Sequence, residues 1–203
     1  MPRVICPTCQ RPEKVCLCHW IQPIENRVEV VILQHPTEVS QIKGTAKIAK
    51  LSLLNSHLWI GEDFTEERSL KDWLNQGQVF ILYPETEALK ERSGAKQPQS
   101  FKVEEIRSDV PLEQVKLLVL DGTWRKTHKM MMQNAFLHPL NRMQLQPETP
   151  SNYQIRKQKD QGSLSTVEAI YQALSQLEQN PEKFQPLINA FDQMIRQQLA
   201  FRK

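Results

Sequence analysis

One stretch restricts the fold of this chain more than any other: residues 117–124, with the sequence LLVLDGTW. A short apolar run that ends in a turn is typical of a buried strand. In open α/β sheets, ligands bind in the crevice beyond the carboxyl ends of the strands. Asp121 would lie there, just before a segment that begins with basic residues. The alternative is that Asp121 only caps the helix that follows, as aspartates often do.

Apolar segments of strand length alternate with segments of helical spacing along most of the chain. The pattern predicts strands at 28–33, 58–60, 79–83 and 115–120, with shorter extended pieces at 140–145 and 152–155. It predicts helices over 45–55, around 70–74 and over 124–136, a long helix that opens at Gly162-Ser163, and a last helix from about Lys183. Residues 90–99 are expected to form a loop. This alternation predicts an α/β fold with a mostly parallel sheet flanked by helices.

All four cysteines lie within the first 18 residues, in the pattern C-x2-C-x6-C-x-C. Two disulfides would satisfy the pattern, but the cytosol disfavours them, and a short cluster there is more often a metal site. Four thiolates suit tetrahedral structural zinc, although the adjacent His19 could replace one ligand. We therefore predict a zinc knuckle with its linker over residues 1–26 and a second domain over 27–203. The predicted ligands are Cys6, Cys9, Cys16 and Cys18.

Composition excludes several classes of protein. No apolar run approaches the roughly 18 residues that a membrane span needs, and the amino terminus lacks the apolar core of a signal peptide. We therefore expect a cytoplasmic protein without a membrane segment. The chain has only 6 glycines and neither a G-x-G-x-x-G sequence nor a P-loop, which argues against a dinucleotide-binding fold of Rossmann type.

The net charge of +3 hides an uneven distribution. Residues 122–159 include seven basic residues and one acidic residue, Glu148, so this segment carries +6 and the rest of the chain −3. Such asymmetry is typical of a protein that binds a phosphate backbone. The alternative is a solvated basic face with no partner. The basic residues are Arg125, Lys126, Lys129, Arg142, Arg156, Lys157 and Lys159.

Residues 121–124 match the D-x-T-W signature of the DTW-domain family, the tRNA-uridine aminocarboxypropyltransferases. The chain resembles this family in its cysteine knuckle and in two further blocks, Gln34–Glu38 and Leu164–Ala169. The blocks stand in the family's order and cover nearly the whole chain. The resemblance implies a fold related to the SPOUT methyltransferases, with a carboxy-terminal knot around the cofactor. It also implies S-adenosylmethionine as cofactor and a tRNA uridine as substrate.

The resemblance implies roles for the motif residues in transfer of the 3-amino-3-carboxypropyl group to uridine N3. N3 is a weak nucleophile until it loses its proton, so a base within hydrogen-bond reach is needed. Asp121 is expected to be that base, Thr123 to fix its carboxylate or cap the helix, and Trp124 either to pack or to stack on a base. His35, at a predicted strand end, is the next candidate for the base.

The same resemblance, combined with the positive end of a helix that opens at Ser163, predicts where the cofactor binds, and the basic segment predicts where the tRNA binds. The expected cofactor contacts are Leu82, Tyr83, Pro84, Leu120, Gly122, Ser163, Leu164, Ser165 and Thr166. The expected tRNA contacts are Arg125, Lys126, Lys129, Arg156, Lys157 and Lys159. Two other functions fit the residues: a SPOUT-type RNA methyltransferase with the same cofactor, and a zinc-dependent RNA-binding protein without catalysis.

Overall fold

The structure of this chain is a computed structural model that describes residues 4–41, 43–84, 86, 89, 98–145 and 164–200. Within these residues, six strands form one sheet, and every pair of neighbouring strands is parallel. The strands are β1 (Glu29–Gln34), β2 (Ser56–Ile60), β3 (Gln78–Leu82), β4 (Ser100–Lys102), β5 (Val115–Asp121) and β6 (Asn141–Gln144). Their order across the sheet is β2-β1-β5-β3-β6-β4. The predicted α/β fold with a parallel sheet is confirmed.

Helices cover both faces of the sheet. They are α1 (Ala46–Ser52), α2 (Arg68–Leu74), α3 (Val103–Asp109), α4 (Trp124–Gln133), α5 (Thr166–Glu178) and α6 (Pro181–Ala200). Buried residues of α1, α3, α5 and α6 form one core with one face of the sheet, and those of α2 and α4 form a second core with the other face. Alternate strand residues supply the two cores, as the two-residue period of a strand requires. Strands buried on both faces explain why β1 and β5 are apolar almost throughout.

The connections that leave β1 and β5 lead to opposite sides of the sheet. The chain passes from β1 through α1 to β2 on one side, and from β5 through α4 to β6 on the other. Because β1 and β5 are neighbours, their carboxyl ends flank a topological switch point, where open α/β sheets bind ligands. The register pairs Gln34 with Asp121, so these two residues lie side by side at that edge.

Among the strands and α-helices within the described residues, β4 and α3 are not predicted by the sequence pattern. β4 is an edge strand of three residues, too short to show alternation. α3 has seven residues and buries only Val103 and Ile106, so its helical period is barely established. The predicted extended piece at 140–145 is confirmed as β6. The segment that bears on the predicted knot, which includes the piece at 152–155, lies outside the described residues.

The predicted start of the long helix is wrong. α5 begins at Thr166 rather than at Gly162-Ser163, and its N-cap is Ser165. The Glu168 side chain accepts from the Ser165 backbone N–H at 2.7 Å, and together they form a capping box. Ser-x-x-Glu is the sequence signature of such a start, and it was present in the sequence. α6 also begins earlier than predicted, with Pro181 at its first position, which suits a residue that lacks an N–H.

The amino-terminal knuckle packs directly on the sheet domain. Leu17 is fully buried in the core that α1, α5 and α6 share. The buried Arg11 reaches the last helix, where its Nη2 lies 3.2 Å from Met194 Sδ.

None of the helices in the described part of the chain combines the length and the apolar character that a membrane span requires.

Candidate active site and metal site

Asp121 is a buried carboxylate at the carboxyl end of β5, with only 6% of its surface exposed. Each of its oxygens accepts a hydrogen bond from a different element. Gln34 Nε2, at the end of β1, donates to Oδ2 at 2.7 Å. Thr166 is the first residue of α5, and its Oγ1 donates to Oδ1 at 2.5 Å. The carboxylate is thus held from two sides at the switch point of the sheet.

Burial is the main influence on the protonation of Asp121, and it raises the pKa of this carboxyl above its ordinary value. The hydrogen bonds from Thr166 and Gln34 stabilise the carboxylate and so lower the pKa. Glu38 raises it by like-charge repulsion, and Lys126 lowers it by attraction. Because burial prevails, the pKa moves towards neutrality, which is the direction that makes a carboxylate a stronger general base.

His35 braces the end of β1 against β5. Its backbone N–H donates to the Asp121 carbonyl at 3.0 Å. Its Nδ1 lies 2.9 Å from Thr37 Oγ1 and 3.3 Å from the Thr37 backbone nitrogen, and its Nε2 lies 2.6 Å from Glu62 Oε1. Both ring nitrogens are therefore engaged, which suits a positioning residue better than the alternative base suggested by the sequence.

The aromatic ring of Trp124 lies on the surface at the start of α4. It remains 58% exposed, so it is not a core residue. Tyr83, at the end of β3, stacks on it with ring centroids 5.4 Å apart and planes 7° from parallel. The Tyr83 hydroxyl is 3.2 Å from His128 Nδ1, which ties this stack to the next turn of α4. The His128 ring also lies 6.3 Å from the indole, with planes 27° from parallel. An exposed indole held by such ring contacts is a suitable platform for a nucleobase.

The two residues between Asp121 and Trp124 shape the turn into α4. Thr123 is the N-cap residue of α4 and is exposed, but its side chain makes no capping hydrogen bond. The partners of the carboxylate are Gln34 and Thr166, not Thr123. Gly122 lets the backbone of this turn lie close to the side chains of Lys126 and His35. A Cβ at this position would lie 3.2 Å from Lys126 Cβ and 3.6 Å from His35 Cβ.

The segments expected to contact the cofactor lie along the carboxyl edge of the sheet. Leu82 ends β3 and residues 83–84 follow it, Leu120 and Gly122 flank Asp121 at the end of β5, and residues 164–165 precede Thr166, the first residue of α5. The pairing of β3 with β5 and the bond from Thr166 to Asp121 bring these three segments together. Leu164 is 42% exposed beside the N-cap of α5. Ser163 lies outside the described residues.

Acidic side chains neutralise two of the three expected tRNA-binding residues that the structure describes. Lys126 Nζ is 2.6 Å from Glu38 Oε1, and Lys129 forms an ion pair with Glu62. The pKa of Glu62 is lowered, first by the hydrogen bond from Lys129. Arg125 is exposed at the start of α4. The surface of α4 therefore carries less free positive charge than the sequence suggests.

Arg142, counted in the basic segment, is a structural residue rather than part of a basic surface. It is only 2% exposed, and its guanidinium donates to the backbone carbonyls of Leu140 at 2.9 Å and His138 at 3.2 Å. Sequence counts cannot separate such a buried arginine from exposed ones. The remaining expected contacts, Arg156, Lys157 and Lys159, lie outside the described residues.

The four cysteines are close enough to hold one metal ion, since all four sulfurs lie within 4.8 Å of one another. Cys6 Sγ is 3.6 Å from Cys18 Sγ, and Cys9 Sγ is 3.7 Å from Cys16 Sγ. These distances are too long for disulfides. A tetrahedral ion with metal–sulfur bonds of about 2.3 Å would separate its ligands by about 3.8 Å. The donor set and its geometry therefore fit a tetrahedral thiolate site.

The thiols of the cysteine cluster differ in pKa. Backbone hydrogen bonds, first from Cys9 and then from Thr8, lower the pKa of Cys6 to about 6, whereas burial raises the pKa of Cys18 to about 12. Burial lowers the pKa of the neighbouring Arg11, and the nearby Cys9 and Cys16 raise it. Four thiolates on a divalent ion carry two net negative charges, and a neighbouring cation offsets part of them.

Sequence reasoning missed Gln34 and the two acids, Glu38 and Glu62. A signal for Gln34 was available, because it is a polar residue at the end of a buried strand, as Asp121 is. Glu38 lies in the family-like block Gln34–Glu38, but its pairing with Lys126, 88 residues away, and that of Glu62 with Lys129, 67 residues away, do not follow from the sequence.

The parallel sheet, the carboxylate at its switch point and the cysteine knuckle together define an α/β protein with a candidate active site at the strand ends. Residues 3–199 match the DTW domain. This chain belongs to the DTW-domain family.

Named relatives agree with this assignment. The chain is 32% identical over 182 residues to tRNA-uridine aminocarboxypropyltransferase 2 of Macaca fascicularis, an alignment that covers 86% of this chain and 57% of the relative. It is 30% identical over 208 residues to the protein of the same name from Drosophila melanogaster, with 96% and 74% covered. It is 26% identical over 227 residues to tRNA-uridine aminocarboxypropyltransferase A of Arabidopsis thaliana, with 99% and 83% covered. The chain thus spans little more than half the length of the macaque relative. No solved structure matches it.

Proposed function

We propose that this protein is a tRNA-uridine aminocarboxypropyltransferase that forms 3-(3-amino-3-carboxypropyl)uridine and releases methylthioadenosine. The observation that carries the proposal is the buried Asp121 of the DTW motif, whose pKa is raised by burial at the switch point of a parallel sheet. The names of the relatives support the reaction class.

Three segments that converge beside Asp121 would hold S-adenosylmethionine: residues 82–84, residues 120–122, and residues 164–166 with Ser163 before them. Bound there, S-adenosylmethionine would supply an electrophilic γ-carbon for transfer to N3, with methylthioadenosine as the leaving group. Asp121 accepts the N3 proton during this transfer and later returns it to solvent. Gln34 and Thr166 keep the carboxylate oriented throughout.

The surface around Trp124 would receive the tRNA. The exposed indole offers a stacking face for the target base, and Arg125 offers a cation to a nearby phosphate. Lys126 and Lys129 would exchange their acidic partners for phosphates, together with Arg156, Lys157 and Lys159. Thr123, exposed between Asp121 and Trp124, would line the path of the base.

The cysteine knuckle would hold one structural zinc ion per chain through Cys6, Cys9, Cys16 and Cys18. A full set of protein ligands leaves no open position for catalysis. The metal would order the segment that packs Leu17 into the core, because binding free energy at such a site is also folding free energy.

Transfer of a labelled aminocarboxypropyl group tests the proposal directly. Zinc-loaded protein is mixed with unmodified tRNA and S-adenosylmethionine labelled once in the methyl group and once in the aminocarboxypropyl chain. We expect the tRNA to gain only the second label, with methylthioadenosine as the other product. Methyl label in the tRNA would instead identify a methyltransferase, and tRNA binding with neither label would identify a non-catalytic RNA-binding protein.

A further inference from the structure

A small polar cleft opens at the carboxyl end of β1. Gln34 lines it and also donates to the Asp121 carboxylate, so the cleft adjoins the candidate catalytic group. Strand order places β1 and β3 on opposite sides of β5. The cleft therefore lies on one flank of Asp121, and residues 82–84 lie on the other.

Charges of both signs line this cleft. Glu38 contributes a carboxylate whose side chain is only 15% exposed, and Arg11 and Lys47 contribute cations. Arg11 comes from the cysteine knuckle and Lys47 from α1. Arg11 is buried, with 7% of its surface exposed, and Lys47 is half-buried. Charges in such surroundings interact more strongly with a bound ion than exposed ones do.

A ligand that carries one positive and one negative group matches this lining. The aminocarboxypropyl chain is such a group, because its α-carbon bears both an ammonium and a carboxylate. A backbone phosphate fits less well, since it has no cation to pair with Glu38 and would be repelled by it. Glu38 Oε1 already accepts from Lys126, but a carboxylate has lone pairs for further donors.

We propose that this cleft binds the amino acid end of S-adenosylmethionine, with Glu38 on the α-ammonium and Lys47 and Arg11 on the α-carboxylate. This inference rests on the proposed function and extends it. The γ-carbon is two bonds from the α-carbon, so a ligand held this way keeps its reactive carbon near Asp121. The adenosine end then extends across Asp121 towards residues 82–84.

The inference gives the cysteine knuckle a part in ligand binding. Arg11 follows Cys9 by two residues, and its backbone carbonyl accepts from the Cys6 N–H at 2.8 Å. A metal that orders the cysteines would thereby fix the position of Arg11 at the cleft. Loss of the metal should consequently weaken the binding of ligands that carry the amino acid end.

Calorimetry with three ligands tests the assignment on the full zinc-loaded chain. The ligands are S-adenosylmethionine, its decarboxylated form, which lacks only the α-carboxylate, and methylthioadenosine, which lacks the whole amino acid end. The variants are Lys47→Met and Glu38→Gln, with Lys71→Met and Glu104→Gln as controls at exposed positions on α2 and α3.

We expect Lys47→Met to weaken S-adenosylmethionine binding about tenfold, the scale of one charge-assisted hydrogen bond. It should leave the decarboxylated form and methylthioadenosine unchanged. Glu38→Gln should weaken both ligands that carry the ammonium and spare methylthioadenosine. The controls should match the wild type with all three ligands.

Different results overturn different statements. Wild-type affinity of Lys47→Met and Glu38→Gln for S-adenosylmethionine would overturn the cleft assignment alone, as would equal losses for all three ligands. Loss of tRNA affinity without loss of cofactor affinity would identify a phosphate site instead. A wild-type protein that binds none of the three ligands would overturn the proposed function and this inference with it.

Discussion

Each end of β5 buries an ionisable side chain, but one is ion-paired and the other accepts hydrogen bonds from neutral side chains. At the amino end, Lys116 is 7% exposed, lies 3.1 Å from Glu29 Oε2 and donates to the Trp73 carbonyl at 3.2 Å. Its ammonium also lies 4.7 Å from the centre of the Trp73 ring. At the carboxyl end, the bonds to Asp121 come from the neutral side chains of Gln34 and Thr166.

The difference separates a structural charge from one that is suited to chemistry. Lys116 and Glu29 neutralise each other in an ion pair, which His57 Nε2 extends at 3.2 Å from Glu29 Oε1. Neutral donors orient Asp121 without neutralising it, and burial raises its pKa. A carboxylate held in this way can accept a proton without breaking an ion pair. Four measurements can sharpen or break this contrast.

Asp121→Asn should have the largest effect, on the chemical step. The amide keeps the shape of the side chain but cannot act as the base, and general-base catalysis typically contributes about 10²–10⁴-fold. We expect single-turnover transfer to fall by about that factor while tRNA affinity stays nearly unchanged. Lys116→Met is the matched control on the same strand and should transfer at the wild-type rate. An equal loss of rate in both variants would erase the contrast between the two ends of β5.

Thr166→Val should slow transfer by about tenfold, because it removes a hydrogen bond to a charged group. It should also change the pH dependence. Thr166 lowers the pKa of Asp121, so its loss raises that pKa further. Activity needs the carboxylate and is lost as the pH falls through this pKa, so the acid limb of the rate profile should move to higher pH. Thr166→Ser should restore the limb, and an unmoved limb in Thr166→Val would show that the bond does not tune Asp121.

Lys116→Met should reduce stability rather than activity. It removes the donor of the Trp73 carbonyl and of Glu29 Oε2 and leaves Glu29 only its contact with His57 Nε2 at 3.2 Å, which costs about 1–3 kcal/mol for partly buried groups. We expect the urea midpoint to fall accordingly with an unchanged slope. Adding Glu29→Gln should recover part of the loss, because the second change removes the unpaired charge. Strict additivity of the two changes would argue that the ion pair is not a structural unit.

Asp121→Asn should slightly increase stability at neutral pH, whereas Lys116→Met should decrease it. Burial raises the pKa of the folded carboxyl above its unfolded value, so the folded state binds this proton more tightly than the unfolded state does. Its contribution to stability is fully present below the unfolded pKa and is lost as pH rises through the folded pKa. At neutral pH the variant should therefore melt slightly higher than the wild type, by about 2–4 °C for each kcal/mol. The gap should close in acid, and a lower melting temperature for the variant at pH 7 would contradict this account.

Local patterns in the sequence determined the elements that depend on neighbouring residues alone. The apolar run of β5 and the acid that ends it are contiguous, so they could be recognised without the fold. The four cysteines lie close enough in sequence for their spacing to predict a tetrahedral site, and the sulfurs indeed cluster. The alternation of strands and helices was sufficient to predict a parallel sheet.

Only the tertiary structure decided which side chains contact the candidate site residues. Gln34 and Thr166 reach Asp121 across 87 and 45 residues, and Glu38 reaches Lys126 across 88. Periodicity reports the face of a strand or helix but not its register against another element, and these contacts depend on register. For the same reason, the charge distribution in the sequence grouped Arg142 with the exposed basic residues, whereas in the structure it is buried among backbone carbonyls. Residue types therefore identified the candidate base, and strand order and register supplied the surroundings that set its pKa.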